Sequence, residues 1–333
     1  MFPLLPLLII MTLLIILSYI LKKHCFHVEC KSLRRIDNKI VVVTGANTGI
    51  GLETVKELAM RGATVIMACR NETKALAACD SILNELGESS FVPSLPHLTP
   101  IKRNQVCLLI SNHSKLVPMV LDLASFDSIR SFCENFISQY PKLDILINNA
   151  GIDIPLGGLM ENKIEINLGV NHLGHFLLTN LLLSSLKAAD SPRVIVVSSR
   201  MHYYTKISVD DLTTKKIIGS YSRSKLANVM FAREFAERFT KNLGIIAVSL
   251  HPGLVRTEIF RHQWFSLDFL PDFLIKTPNQ GCQTTLYCAL EDVFSGGYYS
   301  DCSLQAPNKQ VEDSLLRSKL WKASATLCNL KDD

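Results

Sequence analysis

The chain has 333 residues, 48% of them hydrophobic and 20% charged. That balance excludes a disordered, low-complexity or collagen-like chain, and the length suits one large α/β domain with appendages. The net charge of +5 comes with no Lys/Arg run of the kind that tracks phosphates, which argues against nucleic acid as a partner. Ten cysteines are scattered without a C-x-x-C pair, so zinc-site spacing is absent and no metal is expected. A core this large needs no disulfide staples, and reduced thiols are the simpler reading than a disulfide framework.

Phe2 to Leu21 is a run of twenty residues without a charge. At about 1.5 Å per residue it reaches roughly 30 Å, the thickness of a bilayer's hydrocarbon core. A cleaved signal peptide is the rival reading. No basic residue precedes the run, however, and no A-x-A-like site follows it. The expectation is a transmembrane signal-anchor over 1–21 and a basic juxtamembrane linker over 22–37. Lys22, Lys23, Lys31, Arg34 and Arg35 stand against Glu29, which predicts a body facing the cytosol. The sequons at Asn71 and Asn112 would then go unused.

Ile40–Thr44 is a β-branched apolar run that reads as a buried parallel strand. Gly45, Ala46, Asn47, Thr48, Gly49, Ile50 and Gly51 follow at once. Leu52, Val55 and Leu58 then recur at helical spacing until Gly62. Strand, glycine turn and helix together suit a dinucleotide site, because the helix N-terminus offers free N–H groups to a pyrophosphate. The spacing, G-x-x-x-G-x-G, is not the common G-x-G-x-x-G. A second strand, Ala63–Cys69, ends at Arg70, where sites for the ribose 2′-OH of NAD usually carry an acid. Arg70 could pair with a 2′-phosphate, helped by Lys74; the plain alternative is a solvated arginine at a strand end. The pairing points to NADP(H).

Residues 88–116, with Pro93, Pro96, Pro100 and an apolar patch at Val106–Ile110, read as a surface insertion. Pro118–Leu123 reads as a third strand carrying Asp122, and Leu143–Ile147 as a fourth that runs into Asn148, Asn149, Ala150 and Gly151. A helix over Ser125 to Tyr140 lies between them. The βαβ rhythm predicts a single doubly wound parallel sheet, with ligands at the strands' carboxyl ends.

Val194–Val197 is a fifth strand, ending in Ser198 and Ser199. Tyr221 and Lys225, four apart, share a helix face. A nearby ammonium favours phenolate, so Lys225 is expected to lower the Tyr221 pKa and make it a general acid/base. His172 and His175 form an H-x-x-H pair without a third ligand at metal spacing, so they are read as helix packing near the site. Trp264, Phe265, Phe269, Phe273 and Leu274 form an aromatic-rich stretch, read either as core or as an apolar lid over a substrate.

The ordered set T-G-x-x-x-G-x-G, N-N-A-G, Ser199, Tyr221 with Lys225, and His251-Pro252-Gly253 resembles the short-chain dehydrogenase/reductase family of classical type, from Ile40 to about Cys302. Finer features resemble its membrane-anchored retinol dehydrogenase (retinal reductase) branch. These are TGANTGIG, ACR at Ala68–Arg70, VNHLGHF at Val170–Phe176, HPGLVRTE at His251–Glu258 and SGGYYSDC at Ser295–Cys302. The resemblance implies a Rossmann domain over 38–305 and a C-terminal helical extension over 306–333. It implies that Tyr221 protonates the carbonyl oxygen as hydride arrives and takes the proton back in the alcohol direction. Ser199, the second serine of its pair, would hydrogen-bond that oxygen and touch the substrate. Lys225 would tune Tyr221 and hold the nicotinamide ribose, and Asn171 would hold a relay water.

Cofactor contacts are implied at Gly45, Asn47, Thr48, Gly49, Ile50, Gly51 and Arg70. Asp122 would meet adenine, Asn149 the adenosine ribose, and Pro252, Gly253, Val255 and Thr257 the nicotinamide side, with Leu123, Ala150 and Gly151 as further cofactor contacts. Thr48 departs from members with a basic residue before the second glycine, which leaves Arg70 as the main phosphate anchor. The wide gap between Ser199 and Tyr221 matches an extension in the retinol branch. The implied substrate is a lipophilic retinoid or similar carbonyl, and the implied location is the endoplasmic reticulum membrane, held through membrane lipid. Steroid ketones or lipid-derived aldehydes are the alternative substrates. A cofactor-binding scaffold without turnover is the alternative from another class, and the intact Asn/Ser/Tyr/Lys set counts against it. Homo-oligomer formation stays open.

Overall fold

Val41 and Val43 of strand β1 (Ile40–Thr44) enter one apolar cluster, and Val42 enters another on the opposite face. Ile195 and Val197 of β6 (Arg193–Val197) divide from Val194 and Val196 in the same way. Successive strand side chains point to opposite faces, so a run that is apolar at every position requires cover on both. Each such side chain contributes about 1.5–3 kcal/mol when fully buried. The computed structural model describes residues 11–12, 14–15, 28–85, 108–109, 115–160, 163–213, 218–257, 259 and 275–330.

The sheet contains β2 (Thr64–Cys69), β3 (Leu108–Leu109), β4 (Lys115–Val120), β5 (Ile145–Asn148), β7 (Ile246–His251), β8 (Tyr298–Ser300) and β9 (Ser303–Gln305) besides β1 and β6. Their order is β3-β4-β2-β1-β5-β6-β7-β8-β9. From β4 to β8 every pairing is parallel; β3 and β9 pair antiparallel at the two edges. Helices α1 (Gly49–Met60) and α2 (Glu72–Glu85) cover one face, with α7 (Pro278–Leu290). The other face takes α3 (Phe126–Gln139), α4, α6 (Ser220–Leu243) and α8 (Ser314–Leu327). Helix α4 joins Ile166–Leu168, the π-helical turn Gly169–Gly174 and His175–Leu181; a short α5 (Leu183–Lys187) follows. Trp321 of α8 stacks on Phe231 of α6 at 5.8 Å, so the C-terminal helix completes the core. The chain leaves β1 toward β2 and β4, then crosses back to β5. That reversal opens a crevice at the carboxyl ends of β1 and β5, where α/β sheets hold ligands.

Several expected boundaries shift. The third strand spans Lys115–Val120, not Pro118–Leu123. A proline usually opens a strand, but β4 lies next to the sheet edge, where β3 reaches only Leu116 and Lys115, so Pro118 is tolerated inside it. Asp122 and Leu123 consequently lie in the turn after the strand. The insertion read over 88–116 ends too late: Lys115 and Leu116 belong to β4, and Leu108–Leu109 of its apolar patch is the edge strand β3. Its remaining residues, 88–107 and 110–114, lie outside the described residues. The fourth strand begins at Ile145, because Asp144 turns its carboxylate to Lys39 Nζ at 2.9 Å and the Ile40 N–H at 3.0 Å. The expected helix over Ser125 to Tyr140 is α3 with those two residues as its caps.

The expected membrane span, Phe2–Leu21, lies outside the described residues except for Met11, Thr12, Leu14 and Ile15. Among the described residues no helix is long and apolar enough to cross a membrane. The proposed lid, Trp264–Leu274, also lies outside them. The eight described cysteines are free. Burial raises the thiols of Cys69, Cys79, Cys133 and Cys328 to about 12, so they pack as small apolar groups.

Candidate active site

At the end of β1 the backbone turns through the left-handed region at Gly45 (φ +63°) and Gly49 (φ +57°), which only glycine adopts without strain. A Cβ on Gly51 would collide with the Gly45 carbonyl and lie 2.6 Å from Asn149 Nδ2. The turn is therefore as tight as its three glycines allow. Thr48 caps α1 without a side-chain hydrogen bond, and the first turn of α1 holds no acid. The leading N–H groups and the positive end of the helix dipole thus face the crevice. The N-N-A-G turn is stitched to β1: Asn149 Nδ2 donates to the Thr44 carbonyl at 2.8 Å, and Thr44 Oγ1 accepts the N–H groups of Asn149 and Ala150 at 2.9 Å. His175 supports the same hydroxyl at 2.9 Å. Its Nδ1 lies 3.0 Å from the Asn171 carbonyl, which can only accept, so Nδ1 carries the proton and Nε2 accepts from Thr44. Burial lowers the His175 pKa to about 3, which keeps that neutral form.

Arg70 follows β2 directly and is exposed at the mouth of the crevice, beside Asn71 and Lys74. On the far side Asp122 accepts the Ala124 N–H at 2.9 Å and donates its own N–H to Ser128 Oγ at 3.0 Å, which fixes the turn after β4. The cradle that a Cβ would fill, the uncapped helix end and the flanking polar turns fit a dinucleotide.

At the inner end, α6 starts after Gly219 (φ +72°) and places Tyr221 and Lys225 on one face. Lys225 Nζ lies 5.7 Å from the Tyr221 ring centroid and donates to the Val197 carbonyl at 3.2 Å. The Ser199 hydroxyl hydrogen-bonds Tyr221. Ser198 instead is buried and donates to the Lys225 carbonyl at 2.7 Å, while Ser199 lines the cleft. Burial pushes the Tyr221 pKa well above its ordinary value; Ser199 opposes this, and Asp153 adds to it. The expected lowering by Lys225 is not seen: enclosure in the protein penalises the phenolate, and Lys225 is not among the groups that shift Tyr221. Lys225 itself is lowered to about 8 by burial, with Asp153 pulling it back up.

Asn171 is fully buried in the π-helical turn and does not line the cleft. Its side chain accepts the Ile152 N–H at 2.8 Å, donates to the Ile152 carbonyl at 2.9 Å and donates to Ser224 Oγ at 3.0 Å. It ties the cleft wall to the helix of Tyr221. A π-turn is a common device at functional sites, since it re-aims one residue within a helix. His172 is also buried, bonded to Ser324 Oγ at 3.0 Å, and burial lowers it to about 4. Both histidines of H-x-x-H are packing groups.

Gly253 (φ +100°) lies against Lys276: a Cβ there would fall 2.6 Å from Lys276 Cδ. Val255 forms an isolated bridge with Lys276, and Lys276 Nζ pairs with Asp301 at 2.6 Å. Burial alone would raise Asp301, but the hydrogen bond and charge of Lys276 outweigh it and hold it low. Thr257 folds back over the glycine turn, 3.2 Å from where a Gly49 Cβ would sit. Together these segments enclose a cleft of about 1330 Å³. It is lined by Gly45, Asn47, Thr48, Gly49, Ile50, Gly51, Arg70, Asp122, Leu123, Asn149, Ala150, Gly151, Ser199, Tyr221, Lys225, Pro252, Gly253, Val255 and Thr257. Of the residues expected at the site only Asn171 stands behind the wall. Asp153, Lys276 and Asp301 also line the cleft and escaped the sequence reading. The one signal for Asp153 was a lone charge between isoleucines after N-N-A-G.

A family model described as short chain dehydrogenase matches residues 39–105 and 99–265. Retinol dehydrogenase 11 of Homo sapiens is 38% identical, over 100% of this chain and 99% of its own. Retinol dehydrogenase 14 of Homo sapiens is 39% identical over 88% of this chain and 87% of its own, and retinol dehydrogenase 13 is 39% identical over 94% and 92%. Among solved structures, an uncharacterized protein from Mycobacterium paratuberculosis superposes with a TM-score of 0.69 at 29% identity, covering 91% of this chain and 98% of that one. A short chain dehydrogenase from Shigella flexneri complexed with NADP superposes with a TM-score of 0.60, covering 82% and 100%; at 20% identity it speaks for the fold alone. With the glycine turn, the sheet order and the Ser199, Tyr221 and Lys225 cluster already in place, the chain belongs to the short-chain dehydrogenase/reductase family and is similar to its retinol dehydrogenases along nearly its whole length.

Proposed function

We propose that this oxidoreductase interconverts a lipophilic alcohol and its carbonyl, retinol and retinal foremost, with NADP(H) as cofactor. The observation that carries the reading is the convergence of Ser199, Tyr221 and Lys225 at the inner end of a cleft whose outer half is the glycine cradle. The cradle would hold the pyrophosphate, Asp122 the adenine, Asn149 the adenosine ribose and Lys225 the nicotinamide ribose. Arg70, with no acid in its place, supports a 2′-phosphate and hence NADP(H) over NAD. A nicotinamide bound there supplies or accepts the hydride.

The protein's own residues handle the proton and the geometry. Tyr221, whose pKa burial raises further above neutral, holds a proton to give to a carbonyl oxygen. Ser199 hydrogen-bonds that same oxygen and orients it. In the alcohol direction Tyr221 must receive the proton, and the Lys225 ammonium favours the phenolate that does so. Asn171 acts as a positioning residue, through Ile152 and Ser224. The uncharged run Phe2–Leu21 and the basic residues after it support a membrane anchor with the body in the cytosol. The names of the relatives support a retinoid substrate. Steroid ketones and lipid-derived aldehydes are the second reading. The test is turnover of all-trans-retinal, steroid ketones and medium-chain aldehydes with NADPH and with NADH. Retinal reduction with NADPH is the expected result. Tight NADPH binding without turnover of any carbonyl would overturn the reading in favour of a non-catalytic scaffold.

A further inference from the structure

Ser199 lies two residues beyond the end of β6, outside the strand ladder that would otherwise hold its backbone. The peptide unit between Ser199 and Arg200 is gripped at both of its polar atoms by an imidazole. His202 Nδ1 lies 2.7 Å from the Ser199 carbonyl. On the other side His251, the last residue of β7, accepts the Arg200 N–H on its Nδ1 at 3.2 Å. A carbonyl can only accept, so His202 carries its proton on Nδ1, whereas Nδ1 of His251 is bare. The two rings hold one peptide through opposite tautomers.

The tautomer of His202 is set in turn from 106 residues downstream, where the Asn308 N–H donates to His202 Nε2 at 3.3 Å. Asn308 is itself fixed. Its Nδ2 donates to the His202 carbonyl at 2.8 Å and the Thr205 carbonyl at 3.0 Å, and its Oδ1 accepts the Gln310 N–H at 2.9 Å. Gln310 completes the tie, accepting the Ile207 N–H at 2.9 Å and donating to the Ile207 carbonyl at 3.1 Å. His202 has no exposed surface, and its ring centroid lies 4.6 Å from that of Tyr298 in β8. Burial lowers both imidazoles, His251 to about 3, which keeps the neutral forms that the grip requires. His202 does not line the cleft, so it can reach the reaction only through what it holds. A reacting group displaced by about 1 Å can lose on the order of a hundredfold in rate, so the backbone under Ser199 is worth fixing.

Resting on the role given to Ser199 above, we propose that His202 is a positioning residue that fixes Ser199 against the substrate oxygen, with the C-terminal segment around Asn308 holding His202 in place. That segment is then part of the catalytic apparatus and not only a cover for the core. The test is a double-mutant cycle between position 202 and Ser199. It is read as the single-turnover rate of NADPH oxidation, with enzyme in excess over the carbonyl of the panel above that the wild-type protein reduces best, so that slow variants stay measurable. His202→Phe should slow reduction by about tenfold to a hundredfold when Ser199 is present. In the Ser199→Ala background the same change should cost under about threefold, because the group it positions is gone. His202→Asn, whose amide can donate where Nδ1 did, should recover most of the rate. Asn308→Ala, at a partly buried site, leaves the core closed and should slow reduction by about threefold to tenfold, again only with Ser199 present. NADPH affinity should hold in every variant. An equal loss in both backgrounds, or His202→Asn no faster than His202→Phe, would make His202 a packing group and overturn the proposal while leaving the carbonyl-reductase reading intact. Wild-type rates in Ser199→Ala, or no reduction of any carbonyl by the wild-type protein, would remove the reading of Ser199 and the proposal with it.

Discussion

Arg70→Asp should reverse the cofactor preference. Arg70 is exposed at the cleft mouth, so its charge acts through a watery medium and not a buried one. A hydrogen bond to a charged group contributes about 1.5–3 kcal/mol. Reversing the sign removes that and adds a repulsion, which at about 4 Å in a surface dielectric is on the order of 1–4 kcal/mol. Lys74 lines the same mouth and stays in place, which softens the loss. The net expectation is a loss of about 3 kcal/mol, roughly a hundredfold in NADPH affinity. NADH should gain a few-fold, because a carboxylate can accept from a ribose 2′-OH. The assay is titration of both cofactors by fluorescence or calorimetry at two salt concentrations. Added salt should weaken NADPH binding to the wild-type protein and leave NADH nearly unchanged, since only the former uses an exposed charge pair. A ratio of affinities that does not move on substitution would make Arg70 a solvated surface residue and remove the basis for NADP(H).

Acid should destabilise the fold through its buried histidines. His172 and His175 are held at about 4 and about 3, against about 6.5 when unfolded, so the unfolded chain binds more protons between those values. Stability is full above pH 6.5 and falls as pH drops below it, by up to about 1.4 kcal/mol per pH unit for each ring; a denaturation midpoint unchanged between pH 7 and pH 5 would refute this. Lys276→Met leaves Asp301 without its cation and should lower Tm by an amount worth about 1–2 kcal/mol, the half-exposed carboxylate limiting the cost. Asp301→Asn on top should restore part of it, and no recovery would uncouple the pair. Deleting residues 1–23 should release the protein from membranes with its turnover preserved; an enzyme that still sediments with vesicles would place the anchor elsewhere.

Local chemistry made much of the molecule readable. Gly45, Gly49 and Gly51 declare a tight turn by residue type alone, and the β-branched runs around Val42 and Val196 declare strands buried on both faces. What escaped depends on partners far away in the chain. Asn167 meets Ser220, and Lys276 meets Asp301, only after folding. Pro118 misplaced a strand because its tolerance follows from β4's place in the sheet and not from its neighbours in sequence. The Tyr221 pKa was read in the wrong direction for a related reason: the Lys225 spacing is local, but the enclosure that raises the phenol is a property of the whole cleft. Asn171, which the resemblance implies would hold a relay water, is buried in the π-helical turn and bonded to Ile152 and Ser224, partners that only the folded chain brings to it.

The acid/base role of Tyr221 can be measured directly by comparing kcat for Tyr221→Phe with the wild-type protein at saturating NADPH and aldehyde. The substitution keeps the ring and removes the hydroxyl that Ser199 engages. A loss on the order of 10² to 10⁴ in kcat is predicted, about 3–5 kcal/mol of barrier, with Tm and NADPH affinity close to wild type. Turnover within a few-fold of wild type would contradict the assignment and leave the cleft without its proton donor.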